Sequence, residues 1–275
     1  MRHVETPRER RHNLRLPAHT RGIVSVIVQN DEGESALTDN FKARLETLVE
    51  LSNPLSRRKV KENLSRLLSL GVESLESLIA ILKDQAIEDD IRLLVCWILG
   101  QLGDKKAAPP LLEVFREGNI SLSMEAAKSL GMLKSKRAVP ALIEELVKGG
   151  NADKRTASAY ALGLLFDERA IDPLLSVMNN KNDSPKVRGG AAEALIWFSK
   201  KRKRVVDAFI NGLEDASVEV RFWSAFALGE MKVKRAISKL ERLAAEDDEV
   251  LPGWWSVGKE ASNALDRIRS KSSGN

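Results

Sequence analysis

From about residue 39 onward, apolar residues return at i, i+3, i+4 and i+7, the period of a helix with one buried face. Two phrases alternate. One reads IRLLVCWILGQL (Ile91–Leu102), LSMEAAKSLGML (Leu122–Leu133), KRTASAYALGLL (Lys154–Leu165), VRGGAAEALIWF (Val187–Phe198) and VRFWSAFALGEM (Val220–Met231), with a worn copy at Val257–Ile268. The other reads APPLLEVF (Ala108–Phe115), VPALIEEL (Val139–Leu146), IDPLLSVM (Ile171–Met178), VVDAFINGL (Val205–Leu213) and AISKLERL (Ala236–Leu243). A glycine marks one slot of the first phrase at Gly100, Gly131, Gly163 and Gly229, with Ile196 in the same slot, so successive copies lie 31, 32, 33 and 33 residues apart. Each unit is a helical hairpin, helix A (second phrase) followed by helix B (first phrase). One hairpin cannot bury its apolar face, whereas stacked neighbours can. The pattern predicts an all-α chain, an α-solenoid of about six to seven hairpins. Phe41–Leu51 and Arg57–Leu70 form the most degenerate one.

Residues 1–38 do not follow the repeat and read as a basic N-terminal arm, with Gly22–Gln29 as a short strand; residues 39–275 are the solenoid. The arm changes the meaning of the charge. The chain has 44 Lys+Arg, 39 Asp+Glu and a net charge of +5, but six Arg against two Glu fall within residues 1–21. The solenoid is nearly neutral.

The phrase D-x-x-V-R-x-x-A-A-x-A-L-G-x-L resembles the HEAT family, and in particular the HEAT-like repeats of phycobilin lyases. The matching residues are Leu99, Leu130, Leu162, Leu195, Leu228 and Leu265, and Arg92, Arg155, Arg188 and Arg221, each Arg eight residues before the glycine slot. Ser123 and Gly258 interrupt the arginine column. The resemblance implies a right-handed superhelix with A helices convex and B helices concave. It also implies that the arginines form a structural ladder with aspartates between repeats, and it raises bilin attachment as an activity, with Arg or Lys pairing the propionates of a tetrapyrrole.

On that arrangement the concave side carries Trp97, Lys128, Tyr160, Trp197, Phe222 and Phe226. All five Trp and the one Tyr lie in or at the start of B helices. Two readings stand side by side. The face is an aromatic groove for a protein or peptide, because large exposed apolar patches mark interaction sites. Alternatively, close B helices bury these rings as core. The connections from B to A are basic, above all Lys200, Lys201, Arg202, Lys203 and Arg204, and those from A to B lean acidic. Helix dipoles favour this segregation, while the five-residue basic run exceeds what one helix end requires and offers a docking patch for an acidic partner.

Catalytic chemistry finds no constellation. The three His all lie before residue 20, so the repeats hold neither a metal motif of the HExxH kind nor a His-based triad. The repeated His-Glu pairs by which HEAT-type deoxyhypusine hydroxylases bind iron are absent. The chain has no phosphate-binding glycine loop, and no metal or cofactor is expected. Cys96, the one cysteine, excludes a disulfide framework and suits a reducing, cytoplasmic compartment. No apolar run is long enough to span a membrane. Arg11 and Arg15 match the R-x-x-x-R that opens PilZ domains, without the element that should follow. The leading expectation is therefore a non-enzymatic scaffold that binds a protein or peptide along the aromatic groove. The alternatives are a phycobilin lyase-like subunit, and nucleic-acid or nucleotide binding through the arm and basic edge.

Overall fold

A computed structural model describes residues 62, 64, 65, 74–198 and 203–270. The arm, the strand expected at Gly22–Gln29 and nearly all of the first degenerate hairpin lie outside the described residues. These comprise α1 (Leu75–Lys83), α2 (Asp89–Leu102), α3 (Ala108–Glu117), α4 (Ile120–Met132), α5 (Val139–Lys148), α6 (Ala152–Leu165), α7 (Ile171–Asn179), α8 (Pro185–Leu195), α9 (Lys203–Gly212), α10 (Val218–Glu230), α11 (Ile237–Glu246) and α12 (Val257–Arg269). They fall into two compact units, one ending at Ala138 and one beginning at Val139. The first holds the hairpins α1–α2 and α3–α4. The second holds α5–α6, α7–α8, α9–α10 and α11–α12. Each unit is a stack of A–B hairpins, the all-α solenoid architecture that the repeat predicts.

The local signals are legible. Four of the B helices begin on side-chain caps: Asn119, Asn151, Ser217 and Ser256 accept hydrogen bonds from the backbone N–H groups of Leu122, Lys154, Val220 and Lys259. Such a cap contributes about 1 kcal/mol. B helices end three residues past the glycine slot on a left-handed residue: Gly103 (φ 75°), Lys134 (φ 55°), Phe166 (φ 52°) and Lys232 (φ 53°). One turn of 3₁₀ helix then leads into the next A helix, as at Lys105–Ala107 and Glu168–Ala170. Where Ile196 replaces the glycine, α8 stops at Leu195 and its last turn tightens into a 3₁₀ turn, Ile196–Phe198.

The core of each hairpin joins A-helix residues such as Leu111, Leu142, Leu174, Phe209 and Leu240 to the B-helix column Leu99, Leu130, Leu162, Leu195 and Leu228, all fully buried. The glycine slot is where one B helix touches the next. A Cβ on Gly100 would lie 2.9 Å from Ser129 Cα, and one on Gly229 would lie 2.6 Å from Ala264 Cα. A side chain there separates the helices, which is why the phrase carries glycine.

Candidate functional site

The arginine column is the first organised feature. Arg155 grips Asp183 with both terminal nitrogens (Nη1 to Oδ1, 2.7 Å) while its Nε donates to the Leu146 carbonyl at 2.8 Å. Arg188 donates from Nε to the Met178 carbonyl and from Nη2 to Asp215. Arg221 reaches Asp247 (2.7 Å) and Glu249 (3.2 Å) as well as the carbonyls of Asp215 and Ala216. Each arginine thus ties an A helix end or connection to the following repeat. Arg92 differs: it donates to the Leu82 carbonyl and pairs with Asp89 of its own helix. The hydrogen bonds from Arg155 hold the Asp183 carboxyl below its ordinary value. Burial pushes Asp215 upward, but hydrogen bonds from Arg188 and Lys181 outweigh it and Asp215 also titrates low.

The residues expected to line an aromatic groove divide into two sets. Trp97 on α2, Lys128 on α4, Tyr160 on α6 and Trp197 in the 3₁₀ turn after α8 are half-buried. Lys128 pairs with Glu125 at 3.2 Å. The Trp197 ring lies against the glycine slot of α6, within 2.8 Å of where a Cβ on Gly163 would stand. Phe222 and Phe226 on α10 are instead interior, 0% and 2% exposed. Trp223 and Arg267 lie against the Phe226 ring, and Phe222 is covered by the connection between α11 and α12, running from Asp247 to Ser256. It delivers Trp254, whose ring centroid is 5.7 Å from that of Phe222 and 5.5 Å from that of Trp223, and Trp255, 6.3 Å from Phe222. These two α10 rings are therefore not open anchors.

Beneath this cluster lies a group that sequence reasoning missed. Glu260, in the first turn of α12, is 0% exposed. Its Oε2 accepts from Trp255 Nε1 at 2.8 Å and its Oε1 from Arg267 Nη1 at 2.8 Å. Arg267 also lies 3.3 Å from Glu230 and stacks over the Phe226 ring at 5.3 Å. Burial pushes the Glu260 carboxyl above the usual carboxylate value, against the pull of Arg267 and then Trp255. A signal for it exists in the sequence. Counting back six residues from the glycine slot gives Leu94, Ala157, Gly190 and Trp223 in four repeats; Glu125 and Glu260 put carboxylates in that column.

The basic edge is partly neutralised. Arg204 pairs with Asp172, Arg235 with Asp207 (2.5 Å) and Lys106 with Glu76 (3.7 Å). Lys203 and Arg204 are exposed, while Lys200, Lys201 and Arg202 lie outside the described residues. Phosphate-tracking surfaces need many cations free to face a ligand, and these pairings oppose that use. On the acidic edge a crevice of about 330 Å³ is lined by Arg221, Lys239, Arg242, Glu246, Asp247 and Glu249 among others. Cys96 is buried, and burial pushes its thiol upward, so it is no ready nucleophile. Among the described residues, no His, Cys, Asp and Glu gather as a metal site and no helix is long and apolar enough to cross a membrane.

A sequence model of HEAT repeats matches residues 75–163, 139–203 and 171–254. The chain belongs to the HEAT repeat family. Among curated proteins it resembles the bilin biosynthesis protein PecE of Mastigocladus laminosus, 33% identical over 105 residues (36% of this chain, 39% of the relative). It resembles PecE of Nostoc sp. strain PCC 7120 at 32% over 117 residues (40% of this chain, 46% of the relative). The matched stretch thus spans less than half of either relative. Among solved structures, the complex of CpcE and CpcF of phycocyanin lyase from Nostoc sp. PCC7120 aligns at 22% identity and TM-score 0.46, over 88% of this chain and 97% of that one. The likeness of these HEAT repeats to bilin-protein relatives corrects the leading expectation. The expectation of a non-enzymatic interaction scaffold does not fit relatives that are bilin biosynthesis proteins.

Proposed function

We propose that the protein is a phycobilin lyase-like component that holds a bilin and presents it to an acceptor protein for attachment. The observation that carries this reading is the identity of about a third to two bilin biosynthesis proteins. The chemistry of the repeats supports it. A bilin is a flexible, conjugated tetrapyrrole with two carboxylates. Half-buried Tyr160 on α6 and Trp197 in the turn after α8 offer flat apolar surface, and large apolar surface with a few placed polar groups is what small-ligand sites use. Attachment requires a protein partner, the acceptor, and the single cysteine fits a cytoplasmic setting for the reaction. Cys96 is buried with its thiol pushed upward, so in this reading the covalent bond forms on the acceptor and the HEAT repeats act by orienting the bilin.

The test is reconstitution. The chain is produced together with a bilin source and an apo-phycobiliprotein, and the acceptor is separated under denaturing conditions. Covalent colour on the acceptor, above the level without the chain, is the expected outcome. Equal colour with and without the chain would sink the proposal.

A further inference from the structure

We infer that the protein self-associates edge to edge: the turn that carries Phe166 in one copy docks on the Asp247–Ser256 connection of a second copy, against Val250. Both surfaces lie within residues 139–270. The first observation is the backbone of Phe166. It ends α6 at φ 52°, in a left-handed conformation that bulky side chains rarely adopt. Gly103, Lys134 and Lys232 hold the same position after α2, α4 and α10, so ending a B helix does not call for an aromatic ring. Burial does little to offset the conformation. One face of the ring stacks on Phe198, with centroids 5.3 Å and planes 14° apart, yet Phe166 stays 56% exposed. A strained residue that the fold itself leaves open points to use in a contact.

The second observation is the opposite edge. Val250 is 58% exposed and directly follows the run Glu246–Glu249. Arg221 serves Asp247 and Glu249, and the nearby Lys239 and Arg242 are taken by Glu214. Glu246 and Asp248 are exposed and have no ion pair among the described residues. On the Phe166 edge the sign reverses. Arg169, Arg204 and Arg235 are occupied by Asp167, Asp172 and Asp207, which leaves Lys203, Lys232 and Lys234 exposed without a carboxylate partner.

Each edge thus offers a large apolar side chain with uncompensated charge along it, and the two charges are opposite. They cannot meet within one molecule. The B-to-A turns and the A-to-B connections lie at opposite ends of the helices, and α6 with its 14 residues is about 20 Å long. A second copy supplies the match. The contact joins two different patches, so it is heterologous and builds open chains or a ring, never a twofold pair.

Sedimentation velocity on the full chain, at about 50 mM and about 500 mM salt, tests this for the wild type, Phe166→Asn and Val250→Asn. Asparagine tolerates the left-handed region, and both changes remove an apolar anchor without altering charge. The wild type should form concentration-dependent species larger than a monomer, and high salt should weaken them about tenfold. Each variant alone should associate about tenfold more weakly, the scale of a central anchor. An equal mixture of the two variants decides the geometry. Each keeps the edge that the other has lost, so the mixture should form a one-to-one pair and grow no further. A monomeric wild type at both salts would overturn the proposal, as would association that survives either substitution. Loss with Val250→Asn alone would mean that the acidic edge takes some other basic segment, and would equally overturn the edge-to-edge contact. Should Phe166→Asn not fold, the double variant Lys203→Glu/Lys234→Glu replaces it: weaker association supports the contact, and unchanged association overturns it.

Discussion

In residues 139–270 every column arginine reaches forward into the next repeat, whereas in residues 74–138 Arg92 stays within its own hairpin. The reason lies in what the following repeat offers. Arg155, Arg188 and Arg221 find Asp183, Asp215 and Asp247. After Arg92 the matching edge carries Asn119, which donates its side-chain N–H to Asp89 at 2.5 Å. Ser123 stands in the next arginine slot, and its hydroxyl bonds the Gly118 carbonyl. The B helices of this unit are tied instead by a buried neutral bond from Ser129 to the Cys96 carbonyl, 2.7 Å. The same repeat phrase is therefore joined by buried ion pairs in one unit and by neutral hydrogen bonds in the other. Charge is not what makes these hairpins stack. Removing half of a buried pair should nonetheless be expensive where the pair exists.

Arg188→Ala is the most severe test of that contrast. Arg188 and Asp215 side chains are 4% and 3% exposed, so the substitution strands a buried carboxylate with Lys181 alone. The expected cost is about 3–5 kcal/mol, read by denaturant unfolding. Hydrogen exchange should localise the loss to residues 139–270. A cost under about 1 kcal/mol, or equal loss of protection in residues 74–138, would break the comparison.

The glycine slot permits a second comparison at smaller magnitude. Gly229→Ala forces a Cβ to within 2.7 Å of another Cβ and 2.6 Å of backbone on α12. Overpacking of this kind costs about 1–3 kcal/mol. Gly100→Ala meets Ser129 at 2.9 Å and should cost less, with a smaller drop in melting temperature. Gly100→Ala proving the worse of the two would show that α2 and α4 are held more rigidly than α10 and α12.

How much of this was readable in the sequence depends on where the cause sits. The helix period, the glycine slot and the arginine column repeat because each answers a contact that recurs in the stack. One residue per copy therefore exposes it. The burial of Phe222 and Phe226 has no such echo. For Phe222 it comes from Trp254 and Trp255, carried by a connection that occurs once, and for Phe226 from Trp223 and Arg267, so a count of face positions at 100° per residue places both phenylalanines correctly on α10 and says nothing of what lies over them. Glu260 was missed for the same reason. Its column is apolar or small in four of six copies, and a carboxylate there looks like wear in the last repeat until Trp255 and Arg267 are seen bonded to it. The function was misjudged because a face rich in aromatics was weighed without the relatives, and a solenoid fold by itself does not select a ligand.

Acid separates the two units more gently. Asp183 and Asp215 are held below their ordinary carboxylate value of 3.8 in the fold. A carboxylate with a lowered folded value stabilises the native state above its unfolded value, and that contribution is lost as pH falls through the folded one. Residues 139–270 should therefore lose hydrogen-exchange protection as pH drops below about 4, ahead of residues 74–138, where no equivalent pair is buried. Simultaneous loss in both units would remove the ladder as the cause.

The smallest effect is the one that defines the contrast from the other side. Arg92 is 12% exposed but its partner Asp89 is 48% exposed, so solvent screens the pair, and such pairs contribute about 0–1 kcal/mol. The Nε bond to the Leu82 carbonyl, 3.1 Å, is the part that matters. Arg92→Ala should then cost about 1 kcal/mol, a typical net hydrogen bond. Asp89→Ala should cost still less, because it leaves that bond in place. If Asp89→Ala instead matched Arg92→Ala, the carboxylate and not the Leu82 carbonyl would be the partner that matters to Arg92, and the two units would differ only in degree.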